Sequence, residues 1–237
     1  MTSARNAMFW EWSAQQYAVP IGLAAEVCEV ALNRMYELAH GWKRAGFVHT
    51  GRFPSMGPGG VWSNTLWLWT TRETTWSFTG FDPGPWSPRL STVNHLRALG
   101  ELRLALTGRE LDPQVWTSER LLRRRGAYLW EAGATRDHVH DGEFRDGAGD
   151  RWAVEVELTR KRGGGRLAET VRAALEAART RNLSGVVYFT RGTDVRQGLD
   201  TAVAELADAG HGELLHTLDI RDLDQFLSGS NDSKEVS

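Results

Sequence analysis

Within the stretch from Trp152 to Lys161, apolar and polar side chains alternate from Val154 to Thr159. Alternation with a period of two predicts a β-strand, because successive side chains of a strand point to opposite faces of the sheet. One face would carry the apolar residues Trp152, Val154, Val156 and Leu158, and the other the polar residues Glu155, Glu157, Thr159 and Lys161. We expect the apolar face to pack against a core and the polar face to be available for chemistry.

The polar face of this strand concentrates negative charge. Glu155 and Glu157 lie two residues apart on it, so their carboxylates repel each other. A bound divalent cation would relieve that repulsion. The pattern therefore predicts a metal-binding face.

The segment just upstream predicts a hairpin that brings a third carboxylate to the same face. An Asp-Gly pair and a second glycine within residues 146–150 favour a hairpin turn. If the first and last residues of this turn pair, the register places Asp141 opposite Glu155, whereas a slip of one residue would turn Asp141 to the other face. In the paired register, Asp141, Glu155 and Glu157 converge with Lys161 nearby.

Two histidines, His138 and His140, stand beside Asp141 and could suggest zinc. No cysteine and no second histidine pair at zinc spacing accompanies them. The sequence alone therefore gives little support to a zinc site.

The N-terminal part of the chain shows helical spacing followed by strand-favouring residues. Apolar residues recur at helical spacing in two segments, residues 20–28 and 30–44, and the second predicted helix stops at Gly46. A strand from Phe47 and a second one over 61–69 would form a two-stranded hairpin. Helix, turn, longer helix and hairpin in this order resemble a winged helix-turn-helix.

The resemblance implies that the second helix enters a DNA major groove. Its polar face and the hairpin would then supply the DNA contacts, from Asn33, Arg34, His40, Lys43, Arg44 and Arg52. Winged helices also serve as dimerisation or protein-docking modules, and that alternative stays open.

A proline cluster predicts the domain boundary. Three of the seven prolines lie between residues 82 and 89, where neither helix nor strand can continue. The predicted organisation is a DNA-binding domain over residues 1–80, a linker over 81–90, a second domain over 91–228 and a disordered polar tail over 229–237. Within the second domain the patterns predict the order α-β-β-β-α-β-α-β-α.

The composition restricts the binding partners and the cellular compartment that we expect for this protein. The chain has 237 residues, a formal net charge of -2 and a single cysteine. The charge gives no global attraction to nucleic acid, so DNA binding would depend on local basic patches. One cysteine excludes a disulfide framework, and no run approaches the ~18 apolar residues of a membrane span. These features predict a soluble, cytoplasmic protein without a membrane partner.

The carboxylate pattern resembles the restriction-endonuclease-like superfamily, in which an Asp at one strand end and a (D/E)-x-K pair on the next strand hold magnesium. Within this superfamily, residues 21–226 look most like the replication-relaxation proteins of actinobacterial plasmids. The residues that carry this resemblance are the Asp141-Gly142 pair and the Glu155-Val-Glu-Leu-Thr strand. His140 stands where a Pro is usual, and Glu157 takes the place of the usual Lys. Lys161 on the same face could supply the ammonium instead.

The resemblance implies an α+β protein, with a winged helix-turn-helix followed by an α/β restriction-endonuclease-like domain that has a central mixed sheet. Two functions are open. The first is a Mg²⁺-dependent endonuclease or nickase of a mobile element, with Asp141, Glu155 and Glu157 on the metal and Lys161 on the phosphate. The second is a DNA-binding replication or transfer factor whose nuclease-like domain is a non-catalytic scaffold. Double-stranded DNA, replication or transfer proteins and a second copy of the chain are the expected partners.

Overall fold

The computed structural model describes residues 3–56, 61–131, 138–160 and 165–235. The chain forms two compact units, residues 1–111 and 112–237. The first contains α1 (Ala4–Gln16), β1 (Val19–Pro20), α2 (Ile21–Cys28), α3 (Leu32–Arg44), β2 (Val48–Met56), β3 (Trp62–Thr70), α4 (Arg72–Thr79) and α5 (Val93–Thr107). The second contains β4 (Trp116–Ser118), α6 (Glu119–Glu131), β5 (Gly142–Arg145), β6 (Arg151–Glu157), α7 (Arg166–Thr180), β7 (Gly185–Thr190), α8 (Thr193–Asp208), α9 (Gly212–Leu215), β8 (Leu218–Asp222) and α10 (Leu223–Glu235).

The first unit contains the two helices and the hairpin that the sequence predicts. β1, β3 and β2 form an antiparallel sheet in that order. α2 and α3 pack with α1 around one core, in which Trp12, Met35 and Val48 are almost fully buried. α3 buries only Met35, Ala39 and Trp42, so most of its polar residues face outward.

The predicted linker is wrong as a boundary, because α5 belongs to the first unit and the division falls after Leu111. Two arginines of α5 are buried there. Arg103 donates to the carbonyl of Trp12 at 3.2 Å and to Oε1 of Gln15 at 2.7 Å, and Arg97 donates to Oγ of Ser55 at 3.0 Å. The prolines therefore lie in a loop within the first unit.

The second unit is a five-stranded mixed sheet with the order β4-β5-β6-β7-β8. β4, β5 and β6 are antiparallel neighbours, whereas β6, β7 and β8 run parallel. Ala153 of β6 and Val186 of β7 pack with apolar residues of α7 and α8 on one face. The prediction of an α+β chain with a central mixed sheet is confirmed at this level.

The order of elements predicted for the second domain is wrong at two places, and the predicted tail is wrong. The order lacks a helix after its first strand, because β4 ends at Ser118 and residues 119–131 form α6. It also lacks the short helix α9 before its last strand, β8, which begins at Leu218. The expected disordered tail is instead helical to Glu235, in α10. No helix within the described ranges combines the length and the apolar character needed to cross a membrane.

The central position of β6 also overturns the expectation of one open face. Glu155 and Glu157 are each only 8% exposed, although they lie on the predicted polar face. Ala153, two residues before Glu155 on that face, packs into the cluster formed with α7 and α8. Both faces of β6 are therefore covered, and its carboxylates are interior groups.

The predicted hairpin register is confirmed. The amide of Asp146 donates to the carbonyl of Asp150 at 2.9 Å, and Gly142 pairs with Val154. The same register, continued by one residue, places Asp141 opposite Glu155. Gly142 is required by packing, because a Cβ there would lie 2.7 Å from Cζ2 of the buried Trp116 ring.

Gly142→Ala should destabilise the second unit by about 1–3 kcal/mol, because overpacking forces the Trp116 ring or the strand to move. Gly147→Ala is the matched control, since a Cβ at Gly147 meets nothing within 4 Å. Urea unfolding of both variants measures the difference. Equal stability of the two variants would contradict the close packing at Gly142.

Candidate functional site

Glu155 is the centre of a buried polar cluster in the second unit. Its Oε1 lies 2.7 Å from Nε2 of His138 and 2.8 Å from Nδ1 of His140. The side chain of His140 is fully buried, and its other ring nitrogen, Nε2, has no hydrogen-bond partner in the part of the chain that the structure describes. Two imidazoles thus converge on one carboxylate oxygen in the interior.

The two histidines determine the charge state of Glu155. Burial raises the pKa of this carboxyl, but the hydrogen bonds from His138 and His140 and their nearby positive charge outweigh burial and lower it well below its usual range. Glu155 is therefore an ionised carboxylate in a buried position. Such a group requires compensating partners, which the histidines supply.

His138, His140 and Glu155 also satisfy the geometry of a metal-ligand group. One potential ligand atom from each residue lies within 4.8 Å of the other two. Among the described residues no other set of three His, Cys, Asp or Glu side chains does so. The set differs from the predicted one, because it contains Glu155 but neither Asp141 nor Glu157.

Asp141 is fixed at the end of the hairpin by β6. Its Oδ2 accepts a hydrogen bond from the amide of Val156 at 2.8 Å. The side chain therefore ties the residue before β5 to the strand that carries Glu155. Its assignment as a metal ligand stays a prediction.

A buried phenol lies on the strand next to Glu155. Tyr188 of β7 pairs in register with Glu155 of β6, and its buried hydroxyl has no hydrogen-bond partner among the described residues. Burial raises the pKa of Tyr188 well above its ordinary value, and the negative charges of Glu155, Asp141 and Glu157 raise it further. Lys161, the fourth predicted catalytic residue, lies outside the described residues.

An arginine that the sequence did not single out holds the histidine segment in place. Arg181, at the end of α7, donates to the carbonyl of His138 at 2.7 Å and to Glu143 at 3.1 Å. Arg151 donates to the other oxygen of Glu143 at 2.6 Å. Glu143 is only 3% exposed, so this ion-paired group anchors His138 to the sheet and to α7.

The residues predicted to contact DNA are all exposed on the first unit. They are Asn33, Arg34, His40, Lys43 and Arg44 of α3 and Arg52 of β2. Arg34 pairs with Glu37, and Arg52 donates to the carbonyl of Asn64 across the hairpin at 3.1 Å. A depression of about 200 Å³ lies between α3 and the hairpin, lined by Tyr36, Ala39, His40, Lys43, Thr50 and Leu66.

The sequence could have indicated the histidine cluster through the hairpin register. That register places Asp141 opposite Glu155, so His140 is the adjacent residue and His138 lies two further upstream. The third member of a metal group is therefore a carboxylate on the neighbouring strand. A search for cysteine or for a second histidine pair does not find such a set.

Comparison of the chain with protein-family models, with curated proteins and with solved structures found no match in any of the three. The family resemblance therefore stays a prediction.

Tyr188→Phe should leave the free energy of unfolding within about 0.5 kcal/mol of wild type or increase it, because no hydrogen bond is lost with the hydroxyl. Tyr36→Phe, at a 39% exposed position, is the control. Thermal and urea unfolding measure both variants. A loss of more than about 1 kcal/mol in Tyr188→Phe alone would mean that the hydroxyl has a partner in the folded protein.

Proposed function

We propose that the chain is a DNA-binding protein of a mobile element with a metal-dependent endonuclease or nickase activity in its second unit. One observation carries the proposal: Glu155 and Glu157 are buried two residues apart on β6, and Asp141, opposite Glu155 in the hairpin register, accepts from the amide of Val156 on the same strand. A bound cation would offset their negative charge. The sheet with helices α7 and α8 would then be a restriction-endonuclease-like domain.

The chemistry of the three carboxylates suits a divalent ion, but they would have to draw together to hold it, because the only set within 4.8 Å among the described residues is His138, His140 and Glu155. Asp141, Glu155 and Glu157 supply carboxylate oxygens, which hard cations such as Mg²⁺ prefer, and Glu155 is ionised in its buried position. When bound, such an ion would polarise the phosphate and lower the pKa of a bound water. In this proposal Asp141 and Glu155 hold the ion, Glu157 completes the site or orients the water, and Lys161 stabilises charge on the phosphate.

In this proposal the first unit is a winged helix that binds double-stranded DNA, on which the site in the second unit would act. Support comes from the exposed polar face of α3 and the hairpin of β2 and β3 beside it. Lys43 and His40 lie on the depression between these elements, where a DNA backbone could approach both. Recognition by one helix and a hairpin requires only local positive charge, which suits a chain of net charge -2.

Lys43→Ala should weaken duplex DNA binding and reduce the slope of log K against log salt by about one unit, because one phosphate contact is lost. Arg34→Ala should have a smaller effect, since Arg34 must first leave Glu37. Arg179→Ala removes one exposed positive charge from α7 and serves as the control. Titration at several salt concentrations measures all three variants. If Lys43→Ala binds DNA as wild type does, α3 is a protein-docking surface instead.

Glu155→Gln should reduce metal-dependent DNA cleavage by about 100-fold or more, because even groups outside the ligand shell affect activity by up to about that factor. Gln keeps an oxygen that can accept from both histidines, so folding should survive. Glu205→Gln, at an exposed position of α8, is the control. The assay follows supercoiled, linear and branched DNA with Mg²⁺ or Mn²⁺ and with a chelator.

A non-catalytic scaffold is the second candidate, because Glu157 occupies the position where related nucleases usually have a lysine. In that case the first unit would still bind DNA, and the second unit would contact replication or transfer proteins or a second copy of the chain. Salt-sensitive DNA binding without cleavage of any substrate with either metal would favour this function.

A further inference from the structure

The histidines beside Glu155 point to a metal of a different chemical class from Mg²⁺. We propose that His138, His140 and Glu155 are three protein ligands of a divalent transition metal of the Zn²⁺ type. The inference rests on the proposed function for the use of the metal, because Glu155 belongs to both sites. Its test is a binding measurement without DNA.

The three side chains converge on one point. Nε2 of His138 and Nδ1 of His140 lie 2.7 and 2.8 Å from the same oxygen, and the three ligand atoms lie within 4.8 Å of one another. Ligand atoms around a tetrahedral ion with bonds of about 2.0–2.2 Å are separated by roughly 3.3–3.6 Å. The two histidines would therefore withdraw from the oxygen by less than about 1 Å to admit the ion.

The types of donor atom in the cluster favour a transition metal. Mg²⁺ takes oxygen ligands and retains water, whereas imidazole nitrogen suits Zn²⁺ and its neighbours among the transition metals. Two imidazoles and one carboxylate leave a fourth position of a tetrahedral ion for water or a phosphate oxygen, as a catalytic zinc site requires. The set thus favours a transition metal without excluding hydrolytic chemistry.

The state of His140 also bears on the proposal. Its side chain is fully buried, and Nε2 has no hydrogen-bond partner among the described residues. A buried polar atom without a partner costs about 1–3 kcal/mol. Nδ1 is the atom that faces Glu155, so an ion would leave Nε2 as it is, but a metal bond to Nδ1 would offset this cost more than one hydrogen bond does.

A residue outside the cluster holds one of the ligands in place. Arg181 donates to the carbonyl of His138 and is itself ion-paired with the buried Glu143. Groups that hold a ligand segment in place preserve metal geometry and affinity. His138 is therefore held by its backbone from α7 while its ring remains directed at Glu155.

The experiment uses the full chain, stripped of metal with a chelator, dialysed and titrated with Zn²⁺ by calorimetry. We expect one Zn²⁺ per chain at this site and no displacement by a large molar excess of Mg²⁺. His138→Ala and His140→Ala should each weaken Zn²⁺ binding by about 100-fold or more, since loss of an outer group alone can cost up to that factor. His216→Ala, at an exposed position, should bind as wild type does.

Two further measurements keep the test decisive if a variant fails to fold. Circular dichroism and thermal unfolding without metal identify a variant that does not fold. In that case the wild-type chain is titrated with Co²⁺ instead, and its visible spectrum is recorded. A visible spectrum of four- or five-coordinate Co²⁺, lost on addition of Zn²⁺, supports the site. A Co²⁺ spectrum like that of the ion in water, or unchanged Zn²⁺ affinity in a folded His138→Ala variant, overturns it.

The outcomes separate this inference from the proposed function. Zn²⁺ binding that requires both histidines, without DNA cleavage, would contradict the nuclease and leave the metal site standing. Cleavage that requires Mg²⁺ and Glu155, without Zn²⁺ binding, would overturn the transition-metal site and leave the nuclease with its three carboxylates.

Discussion

An ionised carboxylate in the interior of a sheet is the constraint on which the second unit depends. Glu155 lies on β6, and a charge at such a position is tolerated only with strong partners. His138 and His140 supply them, and Arg181 fixes the backbone of His138 from the end of α7. The hairpin, β6 and α7 are therefore held around one oxygen atom. Any function of this unit that uses Glu155 is coupled to the stability of that arrangement.

Local patterns were sufficient to predict how the hairpin is built. The turn over 146–150 determines the register, and the register places Asp141 opposite Glu155, whereas a slip of one residue would turn Asp141 to the other face. The burial of both faces of β6 was not predictable from alternation. It results from α7 and α8 packing beside Ala153, which is a tertiary contact. The two histidines are close together in the sequence, but the third residue of the cluster, Glu155, lies on β6, and only the fold brings it to them.

The prediction of the domain boundary was wrong for a related reason. A proline cluster identifies where regular structure stops, but it carries no information on which core the next helix joins. Arg97 and Arg103 look like surface residues of α5 in the sequence. Both are buried, and the guanidinium of Arg103 lies 4.6 Å from the ring centre of Trp12. The first unit thus keeps α5 with the sheet and the helix α3 proposed to contact DNA, and the site around Glu155 stays within the second unit.

The central claim is that Glu155 and its two histidines bind a metal ion. Crystals of the full chain grown with Zn²⁺, with diffraction recorded on both sides of the zinc absorption edge, test it most directly. The account predicts an anomalous peak about 2.0–2.2 Å from His138, His140 and Glu155, with both ring nitrogens withdrawn from Oε1. A map without a peak at this position, in which both histidines still bond directly to Glu155, would contradict it.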